Sequence, residues 1–185
     1  MIAKGVGFER WLGNSKSYDH AMSIRDMAAT SGTKLHLACN HLMHNRRGLE
    51  YQKDLNEKEL KKYYVFQHWA VQAMKYGYKF VSSEQTVYSD VHGYAGTYDM
   101  LLDYGGNHVI ADIKTGNIAN KFYCMLQLSL YALAIKEQHN IDITDCLVIH
   151  LMTTKFEEYM FVPDFSSAKA LLCLYKTKLK IQGDV

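Results

Sequence analysis

Apolar and polar residues alternate with two different periods along this chain, and the change falls near residue 77. Before it, apolar positions recur every three or four residues. Residues 20–29 predict a short helix ended by Gly32, and residues 33–47 a second, with Leu35, Leu42 and Met43 as its apolar points. A clearer helix follows. Asn56 is its expected N-cap with Glu59 three residues on, and Leu60, Tyr63, Phe66, Trp69, Ala70, Ala73 and Met74 form one stripe that closes at Gly77.

After residue 77 the period shortens to two. Residues 79–89, 94–104 and 108–115 predict three strands, the last two joined through Gly105, Gly106 and Asn107, which accept the positive φ of a tight hairpin. The connection at residues 90–93 is also short, so the three strands should run antiparallel. A long helix over residues 119–139 carries Phe122, Met125, Leu126, Leu130, Leu133 and Ala134 as its apolar stripe. Residues 146–153 are apolar throughout, as in a strand covered on both faces, and residues 158–162 suggest another. Pro163 and Asp164 then open a final helix with Ala168, Leu171, Leu172, Tyr175 and Leu179. The expected fold is α/β (α+β): a mixed central sheet flanked by helices.

Composition narrows this picture without changing it. The 185 residues are 48% hydrophobic, enough for one domain with a real core. One proline, Pro163, and the lack of a Ser/Gly-rich run leave no evident linker. A net charge of +2 does not by itself announce a nucleic-acid partner, and the basic runs at 44–48, 58–62 and 175–180 read as solvated helix faces. Cys39, Cys124, Cys146 and Cys173 form no CxxC pair and three of them sit in apolar context, so buried free thiols in a reducing compartment are expected and a zinc or iron–sulfur site is not. No run reaches membrane-spanning length and no apolar leader opens the chain, which points to a soluble, cytoplasmic protein with no membrane partner.

Candidate chemistry concentrates in the hairpin "GTYDMLLDYGGNHVIADIKTG", residues 96–116. Asp112 and Lys114 alternate onto one strand face, and Asp99 sits in the adjacent strand. Two nearby carboxylates in a half-buried sheet need a shared proton, a basic partner or a cation. A hard divalent ion is the strongest such partner. D-x-K alone is short enough to occur by accident, and a routine solvated Asp–Lys pair would look the same. More residues are required, and the chain supplies them. Gln127 and Tyr131 lie i, i+4 on the long helix with Tyr123 on the same face, Glu84 lies mid-strand, and "GTKLH" places His36 after a Gly-Thr pair.

This ordered set resembles the PD-(D/E)xK nuclease superfamily, in the branch of RecB-type nuclease domains, Cas4-like nucleases and mitochondrial genome maintenance exonucleases. The matching pieces are "GTKLH" with His36, Glu84, "GTYD" with Asp99, "DIKT" with Asp112, Lys114 and Thr115, and "QLSLY" with Gln127 and Tyr131, over roughly residues 31–135. The resemblance implies a restriction-endonuclease-like αβββαβ core over about residues 78–185, preceded by a helical part over about residues 1–77, in one domain spanning residues 1–185. It implies metal ligation by His36, Asp99, Asp112 and the backbone carbonyl of Ile113, with Mg²⁺ or Mn²⁺, one ion or two. Lys114 is then the catalytic lysine, with Asp99, Asp112 and Glu84 in the catalytic set. Glu84 would bind a second ion through water or bond to Lys114 or another site residue. Gln127, Tyr131 and Thr115 would support the site or touch a phosphate.

The implied activity is metal-dependent DNA hydrolysis, as an exonuclease on DNA ends or single strands or as a structure-specific endonuclease. A helicase or recombination partner and a bacterial or viral setting go with it. The four cysteines lack the one-early, three-late grouping of iron–sulfur relatives. His41 and His44 compete with His36 as an i, i+3 pair, and the "GTxxH" context favours His36, leaving the other two on the surface or facing nucleic acid. A non-cleaving module that holds DNA or a partner is the alternative from another class. Inactive relatives lose an acid or the lysine, and here all are intact.

Overall fold

The computed structural model describes residues 18–44, 49–116 and 121–182. The extreme N-terminal stretch, residues 45–47 and 119–120 of the expected helices and the side chain of Leu179 lie outside the described residues. The elements run α1 (Tyr18–Met43), α2 (Leu49–Gln52), α3 (Glu57–Lys75), β1 (Tyr78–Ser89), β2 (Tyr94–Tyr104), β3 (Asn107–Lys114), α4 (Lys121–His139), β4 (Ile143–Leu151), β5 (Phe156–Phe161) and α5 (Phe165–Gln182).

The five strands form one sheet in sequence order. β1–β2, β2–β3 and β4–β5 pair antiparallel, whereas β3 and β4 are parallel. A parallel neighbour cannot be reached by a tight turn, and the connection that contains α4 makes the crossover. This is the mixed sheet that the strand patterning predicts. The β2–β3 turn is two residues long, with Tyr104 opposite Asn107 and positive φ at Gly105 (62°) and Gly106 (88°). That backbone is nearly free to glycine and costly to any residue with a Cβ.

Two apolar layers cover the sheet. On one side Leu35, Ala38 and Cys39 of α1 and Tyr63, Phe66, Trp69 and Ala70 of α3 pack on Met100, Leu102, Ala111, Ile113 and Ile149. On the other, Leu128, Ala132 and Ile135 of α4 meet Leu101, Ile110 and Val148. α5 closes on α4 through Leu126, Leu130, Ala168 and Leu172. The N-terminus of α3 carries the expected Asn56–Glu59 capping box, each side chain accepting from the other residue's backbone N–H. Asp164 caps α5 by accepting from the Ser167 N–H at 3.0 Å.

Several expectations need correction. α1 is one continuous helix through Gly32 rather than two. A single glycine costs a helix only about 1 kcal/mol, and packing against the sheet outweighs it. A Cβ at Gly32 would meet only Thr115 Oγ1 at 3.7 Å, an ordinary contact. Met74 and Phe122 share the apolar periodicity of their helices yet are half exposed, at 57% and 50%. Of the cysteines, Cys39 and Cys146 are buried, Cys124 is half-buried and Cys173 exposed, all as free thiols. Among the described residues no helix is long and apolar enough to cross a membrane.

Candidate active site

The β2–β3 ladder ends at Met100 opposite Ala111, and one step further the same register sets Asp99 opposite Asp112. There the backbone pairing gives way to side-chain chemistry. Asp99 Oδ2 accepts from the Ile113 N–H at 2.6 Å, and Asp99 Oδ1 lies 3.3 Å from His36 Nδ1. His36 arrives from α1, three residues before the buried Cys39. Glu84 comes from β1. Ser83 pairs with Met100 and Gln85 with Tyr98, so Glu84 stands across from Asp99. His36, Glu84 and Asp99 each offer one ligand atom, all within 4.8 Å of one another.

Asp112 plays a different part from these three. It is buried, and its Oδ2 sits 2.8 Å from Lys114 Nζ. The contact is an ion pair without hydrogen-bond alignment, and Asp112 Oδ2 has no hydrogen-bond partner. Burial, then the Asp99 charge, pushes the Asp112 carboxyl up to about 6, against the opposing pull of Lys114 and His36. Glu84 moves the same way, from burial and then Asp99, with His36 opposing. For His36, burial works downward, yet the hydrogen bond and charge of Asp99 with the charges of Asp112 and Glu84 carry it above its ordinary value. Lys114 is likewise raised, because its pairing with Asp112 outweighs burial.

Three acids thus crowd a site that His36 and Lys114 share. Asp112 is buried and Asp99 half-buried, whereas Glu84 reaches solvent, and removing the first two carboxylates from water is costly unless a cation offsets them. The under-satisfied Asp112 oxygen, the trio of ligand atoms and the mixed O/N donor set all suit a hard or borderline divalent ion.

The supporting residues fall on α4 and at the end of β3. Gln127 Nε2 donates to the Tyr131 hydroxyl at 2.9 Å. The Tyr131 ring lies against β2 at Gly96, where a Cβ would come within 2.3 Å of Tyr131 Cε1. Tyr123, Gln127 and Tyr131 share one wall of a groove of about 390 Å³ between β2, α4 and α5, opposite Tyr175. Cys124, one residue from Tyr123, is close enough to Lys114 and Asp112 to feel both charges.

Other anchors carry no motif that would reveal them in the sequence. Lys62 of α3 donates to the Thr115 carbonyl, and His150 Nε2 lies 2.9 Å from the Gly116 carbonyl, so two side chains from other elements hold the backbone just past Lys114. The alternative histidines make other contacts. His41 stacks on Tyr51 at 3.5 Å between ring centroids, and His44 Nε2 lies 2.9 Å from Ser83 Oγ, its ring edge-on to Phe80.

The chain matches the family model of the PD-(D/E)XK nuclease superfamily over residues 19–165. No curated protein matches it. Among solved structures it is similar to a protein of Eubacterium rectale provisionally named an exonuclease, with a TM-score of 0.58 and 10% identity, over 84% of this chain and 69% of that one. It also matches SSO0001 at a TM-score of 0.42 and 14% identity, over 67% of this chain and 59% of that one, a likeness too loose to argue from. The first shows a shared fold, and the family match spans His36, Glu84, Asp99, Asp112, Lys114, Gln127 and Tyr131 together. The chain belongs to the PD-(D/E)XK nuclease superfamily.

Proposed function

We propose that this nuclease is a metal-dependent deoxyribonuclease that works from DNA ends or on single strands as an exonuclease. The observation that carries the reading is the junction of the His36–Glu84–Asp99 ligand trio with the Asp112–Lys114 ion pair at one end of the sheet. His36, Asp99, Asp112 and the Ile113 carbonyl would hold Mg²⁺ or Mn²⁺, with Glu84 as a further ligand, direct or through water. The imidazole nitrogen makes Mn²⁺ a comfortable occupant beside Mg²⁺. Such an ion, when bound, polarises a phosphate oxygen and lowers the pKa of a water molecule.

The chain's own groups do the rest. Lys114, held by Asp112, places a positive charge where the phosphorane charge develops or orients the attacking water. Asp99 uses one oxygen to fix the β3 backbone and turns the other toward His36, so it joins strand geometry to ligation. Gln127, Tyr131 and Thr115 steady the site or touch a phosphate.

The test is a product ladder. Single- and double-stranded DNA, labelled at each end in turn, is incubated with Mg²⁺ or Mn²⁺, with and without EDTA. Stepwise shortening from one end that EDTA abolishes supports the reading. Internal cuts would replace exonuclease with endonuclease, and no cleavage under any of these conditions would overturn the enzyme.

A further inference from the structure

Glu84 has a φ of +50°, inside a strand, with no glycine to excuse it. A side chain in that region is strained and persists only where neighbours over-determine it. It also breaks the strict alternation of the pleat. What aims Glu84 is therefore the grip on the residues beside it.

That grip is visible on Ser83, which is 2% exposed. Its hydroxyl donates to Asn40 Oδ1 at 2.5 Å. Having one proton to give, it must accept from His44, so His44 Nε2 carries the hydrogen across the 2.9 Å contact. The Ser83 carbonyl is also held, by Gln85 Nε2 at 2.8 Å. His36 and Asn40 are spaced i, i+4 on α1, and His44 follows directly after its last residue, its N–H still bonded to the Asn40 carbonyl at 3.2 Å. One face of one helix thus supplies a candidate ligand and the anchor for the strand that carries another.

We propose that Ser83, anchored by Asn40 and His44, is a positioning residue that holds Glu84 in its left-handed conformation and so completes the His36–Glu84–Asp99 ion site. This rests on the metal-site reading above and adds what builds the site. Glu84 and Asp99 repel, being like charges on facing strands. Without the anchor, β1 relaxes toward regular pleat geometry and the Glu84 carboxylate leaves the cluster. The unabsorbed part of the "HLACNHLMH" run, residues 36–44, is then scaffold for the site rather than a second metal pair.

Mn²⁺ titration calorimetry on the metal-free 185-residue protein tests it, with circular dichroism to confirm folding. Ser83→Ala and Asn40→Leu should each weaken Mn²⁺ binding about 10-fold, as loss of a supporting shell does. Asn40→Asp, which keeps an acceptor for the Ser83 hydroxyl, should bind within about 3-fold of wild type on the same scale. In a Glu84→Gln background, Ser83→Ala should add nothing, because the group it positions is gone. Should Ser83→Ala fail to fold, Asn40→Leu in the same two backgrounds makes the comparison. Wild-type binding left unchanged by Ser83→Ala, or a loss that persists undiminished in Glu84→Gln, would overturn the positioning role alone. A wild type that binds no Mn²⁺ would overturn the ion site and the anchor together.

Discussion

The ring of Tyr131 occupies the space that any side chain at residue 96 would need. A Cβ at Gly96 would lie 2.3 Å from Tyr131 Cε1 and 2.9 Å from the hydroxyl oxygen. The glycine of "GTYD" and the tyrosine of "QLSLY" are thus one packing unit, 35 residues apart in sequence. Because the ring end is what must yield, Gly96→Ala should push Tyr131 off its Gln127 partner. In a double-mutant cycle read by thermal unfolding, Gly96→Ala should cost about 1–2 kcal/mol in wild type and close to nothing in Tyr131→Ala. Equal costs in both backgrounds would separate the two residues.

Asp112 sets a pH dependence of stability in the metal-free protein. Its folded carboxyl titrates at about 6, above the ordinary 3.8, mainly through burial. The folded state therefore holds the proton more tightly than the unfolded chain. The penalty for ionising it is absent below pH 4, grows through pH 6 and is complete above pH 7. A shift of that size corresponds to about 2–3 kcal/mol. Asp112→Asn should stabilise the metal-free protein at pH 8 by about that much and lose the advantage by pH 4. Denaturant unfolding at the two pH values measures it, and destabilisation at pH 8 would make Asp112 a structural residue.

Lys62 and His150 hold the Thr115 and Gly116 carbonyls, immediately past Lys114. Lys62→Met should leave the fold intact and lower kcat about 10-fold with little change in KM, since about 1.4 kcal/mol of lost orientation has that effect on rate. Lys62→Arg, which still donates, should recover most of it. Steady-state kinetics of the three proteins decide the point, and a change in KM alone would make Lys62 a substrate contact instead.

The histidine assignment has its own discriminator. His36 faces Asp99, whereas His41 stacks on Tyr51. His36→Ala should weaken Mn²⁺ binding by about 10-fold or more, and His41→Ala should leave it unchanged and lower only the melting temperature. The reverse order, by the same calorimetry, would place the ion elsewhere.

Period and turn chemistry made most of this fold legible. The two-residue alternation puts Asp112 and Lys114 on one face, Gly105–Gly106 closes the hairpin, and the apolar run at β4 marks a strand covered on both sides. What stayed hidden depends on tertiary contacts. Alternation carries no φ, so nothing marked Glu84 as left-handed. Periodicity shows which face of a helix is apolar but not where the sheet beneath it ends, and so Phe122 and Met74 were expected in the core. Gly32 looked like a stop because a lone sequence cannot show that packing carries α1 through it. Family order pointed to His36, Asp99 and Asp112 as expected ligands and left the part of Glu84 open. That Glu84 gathers with His36 and Asp99, while Asp112 also pairs with Lys114, required the geometry.

One carboxylate, Asp99, bonds the β3 backbone and faces His36 of the proposed ion site, and cleavage should depend on it. Single-turnover cleavage of end-labelled DNA in Mn²⁺ by wild type and Asp99→Asn tests this most directly. Asn can still accept the Ile113 hydrogen bond, so the strand geometry survives while the charge is lost. The rate should fall at least about 100-fold, some 2.7 kcal/mol of transition-state stabilisation. Cleavage by Asp99→Asn at the wild-type rate would contradict it.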